Sequence, residues 1–272
     1  MLIVEYYTSI PILYLTSIVY LTVVVFIIIL FITYKDYRDS AAYRIMISIG
    51  IADSLQLAVH IYAGIITLTQ DNFGDGLEKF LGAVLNAAWI AMIPQTLVLA
   101  LNRLYVFKNP NKNQSMYSVF FMLLACWIFG AAFFVPYLTN MTGIVYNMDN
   151  FYFEYDSGNW SSAFGSAEVY SSVSFLCLTF IVYVAVVVTI RNSLTTDKRF
   201  LVKRELKLLI QSFIIFLYAV VLICGWHYYM YWLPDSPWTP VITNIFWLLF
   251  DGLNPLLYFT MNRLAILSKK VS

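Results

Sequence analysis

The sequence has very little charge for its length. Of its 272 residues only 11% are charged and 61% are apolar, whereas soluble domains usually have about 25% charged and ~45–50% apolar residues. A water-soluble fold with so few charges could not cover its surface, and a net charge of +1 provides no field that attracts polyanions. These shortages exclude an ordinary cytosolic globule, a disordered chain and a protein that binds nucleic acid. An integral membrane protein remains.

Cysteine is also scarce. Cys126, Cys177 and Cys224 each lie in the middle of a long apolar run rather than in a connecting segment, so a disulfide framework is not expected. The sequence lacks a Gly-rich phosphate loop, HExxH and CxxC patterns and a nucleophile elbow. We therefore expect no enzymatic activity and no cofactor.

Long apolar runs are what the sequence does contain. Seven of them are long enough to cross the ~30 Å hydrocarbon core as helices, which predicts an all-α membrane protein with one seven-helix transmembrane domain over residues 1–272. The predicted spans are about 12–34, 42–68, 81–107, 117–138, 169–190, 206–232 and 240–261, with a short tail over 262–272. The connections are short except for Thr139–Glu168.

The basic residues are distributed unevenly between the two sides of these spans. Lys79 is the only one of the 16 Lys and Arg residues on the side that carries the long connection. The positive-inside rule therefore places the N-terminus outside and the C-terminus in the cytoplasm. The sequons at Asn140 and Asn159 fall on the predicted outer side, where we expect glycosylation. A third sequon, at Asn113, falls on the cytoplasmic side and is expected to stay unmodified.

Polar residues follow a helical spacing inside two spans. In span seven, steps of three or four residues put five side chains on one helical face: Asn244, Trp247, Asp251, Asn254 and Tyr258. Span three has a similar row: Asn86, Trp89, Thr96 and Arg103. Such a face must point into the bundle, because lipid offers no hydrogen-bond partners. Simple hydrogen bonding between helices would also account for Asn86 and Asn244.

Two acids lie at mid-membrane depth, where ionisable residues are costly and usually functional. Asp53 is in span two and Asp251 is in span seven. We expect them to converge with Asn254. Two carboxylates in a medium of low dielectric cannot both stay charged alone, which predicts a sodium ion or a shared proton between them.

Four motifs resemble those of the rhodopsin-like G-protein-coupled receptors, and most of all the nematode serpentine chemoreceptor families. They are Asn102-Arg103-Leu104 with Pro110 after span three, the segment from Ser48 to Asp53 in span two, Trp127 in span four, and Asn254-Pro255-Leu256-Leu257-Tyr258 in span seven. The last matches the family pattern Asn-Pro-x-x-Tyr in full, and each motif is on the expected span.

The sequence also departs from that pattern. Span three has Glu78 and Lys79 at its outer end instead of the family's cysteine, and the long connection has no cysteine either. The usual loop-anchoring disulfide is therefore missing. Span seven contains no lysine for a retinal Schiff base, and span three has Asn86 rather than the aspartate that serves amine receptors as counter-ion.

The resemblance implies a chemosensory receptor with a small-molecule ligand, a heterotrimeric G protein and the lipid bilayer as its partners. It assigns G-protein coupling and switching to Asn102, Arg103, Glu205, Asn254, Pro255 and Tyr258. We expect Arg103, at the cytoplasmic end of span three, to pair with Glu205 at the start of span six in the inactive state.

The outer halves of the spans supply a candidate ligand site with aromatic walls and a few polar groups. Its predicted residues are His60, Asn86, Trp89, Trp226, His227, Asn244 and Trp247. Because none of these carries a fixed charge at neutral pH, they favour a small neutral or weakly polar ligand that enters from outside.

Two other functions stay open. Asp53 and Asp251 could line the path of an ion or proton in a channel or transporter, and the chain could be a family member that does not signal. We expect the protein at the plasma membrane. The ending Lys269-Lys270-Val271-Ser272 also resembles a dilysine signal for retrieval to the endoplasmic reticulum.

Overall fold

The structure is a computed structural model of the chain. It describes residues 2–109, 114–192, 199–234, 236 and 238–268, except for the side chains at 2–9, 12, 13, 36, 192, 199–208, 229, 230, 254–256 and 258–268. The elements run in the order α1 (Leu2–Thr33), α2 (Lys35–Arg38), α3 (Ala41–Thr69), α4 (Asp75–Lys108), α5 (Met116–Tyr137), β1 (Ile144–Asn147), β2 (Tyr152–Tyr155), α6 (Ser161–Asn192), α7 (Arg199–Trp232) and α8 (Trp238–Ser268).

The predicted fold class is confirmed within these ranges: seven long helices form a bundle, and each covers all or nearly all of one predicted apolar run. Six of the helices are long and apolar enough to cross a membrane by length and composition. A helix suits this environment because it satisfies its backbone hydrogen bonds internally. Where the membrane begins and ends along each helix stays a prediction.

Helix α4 lies at the centre of the bundle. It packs against α3, α5 and α6. In its most apolar stretch of 18 residues 78% of the residues are buried, compared with 22% in the corresponding stretches of α1, α5 and α6. The outer helices instead point large apolar side chains away from the bundle. Val19, Phe121 and Ile181 are 65%, 63% and 62% exposed, as expected of surfaces that lipid tails cover.

Helices α1 and α8 complete the bundle on the other side. Helix α1 packs against α3 and α8, and α7 packs against α8.

The Trp127 indole on α5 donates a hydrogen bond of 3.0 Å to the Ser48 hydroxyl on α3. The three cysteines are free thiols on three different helices; Cys126 is buried and Cys177 is exposed.

Helix α6 begins at Ser161, eight residues before the predicted start of span five. The carboxylate of Asp156 accepts hydrogen bonds from the Gly158 amide at 3.1 Å and from the Ser161 hydroxyl, and these contacts end the loop and begin the helix. The last eight residues of the predicted connection Thr139–Glu168 are therefore helical. Glu168 lies on a helix and inside the bundle, only 3% exposed.

The connection between α5 and α6 contains a β-hairpin. Strands β1 and β2 pair antiparallel, with Ile144 opposite Tyr155 and Asn147 opposite Tyr152. We call the end of the bundle that carries these strands the hairpin end, and the opposite end, where α4 ends at Lys108, the far end.

Candidate functional site

The hairpin covers its end of the bundle. Its side chains alternate in burial along β1, so that Ile144 and Tyr146 are buried. On the other strand and its turn, Phe153 and Phe151 are buried as well. Alternate burial along a strand means that one of its two faces packs against other elements. Here that face packs against the helices at the hairpin end.

Hydrogen bonds attach the hairpin to five helices: to α6 through Tyr155 and Glu168, and to α1, α3, α4 and α8 through the following bonds. The Tyr14 hydroxyl on α1 donates to the Phe151 carbonyl at 2.9 Å, and the Phe153 amide donates to Asn244 Oδ1 on α8 at 3.1 Å. The remaining two bonds both involve Tyr146. Its hydroxyl shares a hydrogen bond of 2.7 Å with Thr67 on α3, and its amide donates to Glu78 Oε1 on α4 at 2.8 Å.

A small cavity lies beneath the hairpin. Three indoles form much of its wall, and their rings meet edge to face: the Trp247 centroid is 5.6 Å from that of Trp89 and 4.9 Å from that of Trp226. The full lining consists of Trp89, Glu168, Leu222, Ile223, Trp226, His227 and Trp247. Its volume is about 10 Å³, which is room for about one water molecule.

The sequence analysis missed three residues of this lining, Leu222, Ile223 and Glu168, and Glu168 is the polar one among them. Its Oε2 accepts a hydrogen bond of 2.8 Å from Asn86 Nδ2 on α4 and another from the Tyr155 hydroxyl on the hairpin. Its Oε1 lies 3.8 Å from Nε2 of His227 on α7. One carboxylate therefore joins three helices and the hairpin, and the premise that the pocket has no fixed charge does not hold.

Tyr155 is affected by this carboxylate. Burial, and then the nearby charge of Glu168, hold the pKa of the Tyr155 hydroxyl well above its usual range. The phenol therefore stays protonated and donates to the carboxylate. A turn signal in the sequence could have located Glu168: the cluster Asp156-Ser157-Gly158-Asn159 marks a loop, and a helix that begins just after it places Glu168 on the second turn.

His60 and Asn244 lie between the cavity and the hairpin. The His60 ring is 5.8 Å from both the Phe153 ring above it and the Trp247 ring beside it. Asn244 supports the hairpin backbone at Phe153. Four of the seven predicted ligand-site residues line the cavity. Asn86 is connected to it by its hydrogen bond to Glu168, and His60 and Asn244 lie at its border.

Below the cavity, the indole of Trp247 donates a hydrogen bond of 2.8 Å to Oε1 of Gln56, a residue that the sequence analysis did not single out. Next to it, His60 Nε2 lies 3.8 Å from Asp251 Oδ2, and both side chains are fully buried. Asp53, also buried, is close enough to Asp251 to interact with it electrostatically. Asn254, the third predicted member of this group, has a side chain outside the described residues.

The far end holds the predicted switch residues of α4. Arg103 is 2% exposed and interacts electrostatically with Tyr183 on α6, whose hydroxyl is hydrogen-bonded to Ser212 on α7. Asn102 Nδ2 donates to Gln114 Oε1 at 2.6 Å and so attaches the segment after α4. The other predicted switch side chains lie outside the described residues: Glu205, Asn254, Pro255 and Tyr258.

This arrangement of seven helices around a central α4, with a strand hairpin over one end, defines the class of protein. Its fold is similar to that of squid rhodopsin, whose crystal structure aligns over 94% of this chain and 81% of that chain, with a TM-score of 0.79 and 16% sequence identity. The fold is therefore that of a rhodopsin-like seven-helix membrane protein.

The family follows from the sequence itself. Residues 5–268 match the family described as serpentine type 7TM GPCR chemoreceptor Srt, and the chain belongs to this family. It is thus a multi-pass membrane protein of a receptor family, not an enzyme. Among the curated proteins, no sequence matches.

Proposed function

We propose that the protein is a chemosensory receptor that binds a small ligand beneath the hairpin and activates a heterotrimeric G protein at the far end. The observation that carries this proposal is the small cavity between Trp89, Trp226 and Trp247. It combines aromatic walls with a few convergent polar groups, as ligand sites usually do. The buried Arg103 lies at the other end of α4, where a G protein would bind.

This proposal sets the orientation of the bundle. The hairpin end faces outside and the far end faces the cytoplasm, in accord with the distribution of Lys and Arg. Asn140 and Asn159 lie on exposed positions at the hairpin end, where glycosylating enzymes would reach them. We place the protein at the plasma membrane. The dilysine ending and Asn113 are outside the described residues.

Nucleotide exchange tests the proposal directly. The full chain is reconstituted in nanodiscs with a set of heterotrimeric G proteins, and exchange is measured while small metabolites and volatile compounds are screened. We expect at least one compound to accelerate exchange on one G-protein class. Ion currents in voltage-clamped cells without any exchange would overturn the proposal and favour a channel.

Side chains of the cavity should control the potency of the agonist that this screen identifies. We expect Trp247→Ala and Asn86→Ala each to lower potency at least about tenfold, a loss of ~1.4 kcal/mol. Trp247 contributes an indole to the wall, and Asn86 holds Glu168 in place. Dose–response curves at matched surface expression measure the change. Trp232→Ala is the control, because Trp232 is 73% exposed and outside the lining; equal potency in all three variants would contradict the assignment.

We further propose that Asp53 and Asp251 share a proton that favours the inactive state. Sodium prefers several oxygen ligands, but His60, a nitrogen base, is the group that lies 3.8 Å from Asp251. The described residues form no metal-type group of three or more His, Cys, Asp or Glu side chains. A shared proton is therefore the occupant that we propose between Asp53 and Asp251, with the base His60 beside it.

The effect of sodium on thermal stability distinguishes these two occupants. We expect the Tm of the purified protein to change by less than ~1 °C when sodium is replaced by N-methylglucamine at constant ionic strength, since an ion that does not bind cannot stabilise the fold. A sodium-specific rise of more than about 3 °C that Asp251→Asn abolishes would place sodium there instead.

A further inference from the structure

Glu168 puts a buried carboxylate in the wall of the cavity. The residue is 3% exposed and lies in the same lining as Trp89, Trp226 and Trp247. The carboxylate comes from α6, not from the position on α4 where amine receptors carry theirs and where this chain has Asn86.

The surroundings compensate the charge of Glu168 only in part. Neutral donors, Asn86 and Tyr155, bind Oε2. The other oxygen, Oε1, has His227 Nε2 at 3.8 Å, beyond the length of a hydrogen bond. Among the described side chains, no lysine or arginine lies within ion-pair distance of this carboxylate. A buried charge is costly unless it is paired, and Oε1 is the atom that a further donor would reach.

The indoles beside Glu168 favour the same kind of ligand. The faces of tryptophan rings attract cations that lie within about 6 Å of the ring centroid, more strongly than those of other aromatic side chains. With Leu222 and Ile223 the three rings make most of the lining apolar, and the attraction between a cation and a carboxylate is stronger in apolar surroundings than in water.

We propose that the cavity binds a small organic cation of the ammonium type, with Glu168 as its counter-ion and the indoles of Trp89, Trp226 and Trp247 around its alkyl groups. This inference rests on the proposed function and names the class of ligand for the same site. It replaces the expectation of a neutral ligand, which assumed that no fixed charge lines the pocket.

The size of the cavity indicates how the cation enters. A volume of about 10 Å³ holds no organic molecule, so binding must displace side chains. Trp226 and His227 both belong to α7. A ligand ammonium that takes the place of His227 beside Oε1 therefore pushes α7 away from α4 and α6. Binding of the ligand is thus coupled to a movement of α7. Activation by a shift between two conformations requires such a coupling.

Glu168 also has a structural role that the experiment must separate from ligand binding, because it holds Tyr155 of the hairpin. Glu168→Gln keeps one acceptor oxygen for Asn86 and Tyr155, but it removes the charge and puts an amide NH2 group in place of Oε1. Tyr155→Phe does the opposite: it removes the hydroxyl and keeps the charge. Asp149→Asn neutralises an exposed acid on the hairpin turn and is the matched control.

The experiment measures the Tm of the full chain, purified in nanodiscs, with pairs of probes that differ in charge but not in shape. The pairs are 3-methylbutylamine with 3-methylbutan-1-ol, and choline with 3,3-dimethylbutan-1-ol. We expect at least one ammonium probe to raise the Tm by at least ~3 °C, and its neutral partner to have no such effect. Glu168→Gln should weaken that binding at least about tenfold, whereas Tyr155→Phe and Asp149→Asn should keep the preference for the cation.

Several results would overturn the inference: no ammonium probe stabilises the protein, the neutral partners stabilise it equally, or Glu168→Gln binds the cation as the parent does. If Glu168→Gln does not fold, the comparison between charged and neutral probes on the parent protein still tests whether the cavity binds a cation. The measurement needs no G protein. A receptor that drives nucleotide exchange but ignores every ammonium probe would keep the proposed function and lose only this inference.

Discussion

Arg103→Ala is expected to abolish G-protein activation while the receptor still reaches the cell surface. Arg103 is a fully buried side chain at the far end of α4, where it interacts with Tyr183 on α6, and Tyr183 in turn binds Ser212 on α7. In the proposed mechanism, activation separates these helices and exposes the guanidinium to the G protein. Alanine removes that contact without adding bulk or charge.

The measurement is agonist-stimulated nucleotide exchange, normalised to the surface density of the receptor. Arg38→Ala is a suitable control, because Arg38 is 55% exposed and its pair with Asp39 at 3.8 Å is worth only ~0–1 kcal/mol. An Arg103→Ala variant that activates the G protein at the parental rate would contradict the role of Arg103. The pairing of Arg103 with Glu205 stays a prediction, since the Glu205 side chain is outside the described residues.

Helical spacing allowed the interior of the bundle to be predicted from the sequence. Asn244, Trp247 and Asp251 repeat every three or four residues, and the structure buries all three. The face was predictable because a helix places such residues together whatever its neighbours are, and because lipid cannot satisfy their polar groups. The same reasoning correctly put Asn86 and Trp89 in the interior.

The contacts between distant segments could not be read in this way. The pair of His60 and Asp251, and the bond from Trp247 to Gln56, depend on how α3 and α8 are rotated against each other. Periodicity fixes the inner face of each helix but not the partners across it. The predicted connection ends at Glu168 because the apolar run begins at Val169, whereas in the structure Glu168 binds Asn86 within the bundle.

The missing disulfide is the departure from the family pattern that the structure accounts for best. Glu78 and Lys79 stand on α4 where the family's cysteine is expected, and both bind the loop. Glu78 accepts a hydrogen bond from the Tyr146 amide at 2.8 Å. Lys79 Nζ donates to Asn140 Oδ1 at 3.1 Å. Hydrogen bonds and packing thus hold the hairpin in place of a covalent bond.

Gly82, one turn further along α4, is expected to be essential for that packing. A Cβ atom at Gly82 would lie 1.9 Å from the carbonyl oxygen of Ile144 on β1, so Gly82→Ala must push the strand backbone away from α4. Overpacking of this kind usually costs about 1–3 kcal/mol. The displacement would also strain the bond from Tyr146 to Glu78, so we expect a loss near the upper end of this range and a fall in Tm of at least ~4 °C.

Gly76→Ala is the matched control on the same helix, because nothing lies within 4 Å of the Cβ atom it would add. Thermal unfolding of the two purified variants separates the close approach to Ile144 from the general effect of replacing a helical glycine. Alanine favours a helix over glycine by about 1 kcal/mol, so Gly76→Ala should leave the Tm unchanged or raise it. If Gly82→Ala behaves in the same way, the hairpin does not rest on α4 at this point. Its attachment would then depend on packing elsewhere and on the hydrogen bonds to Tyr14, Thr67, Glu78, Glu168 and Asn244.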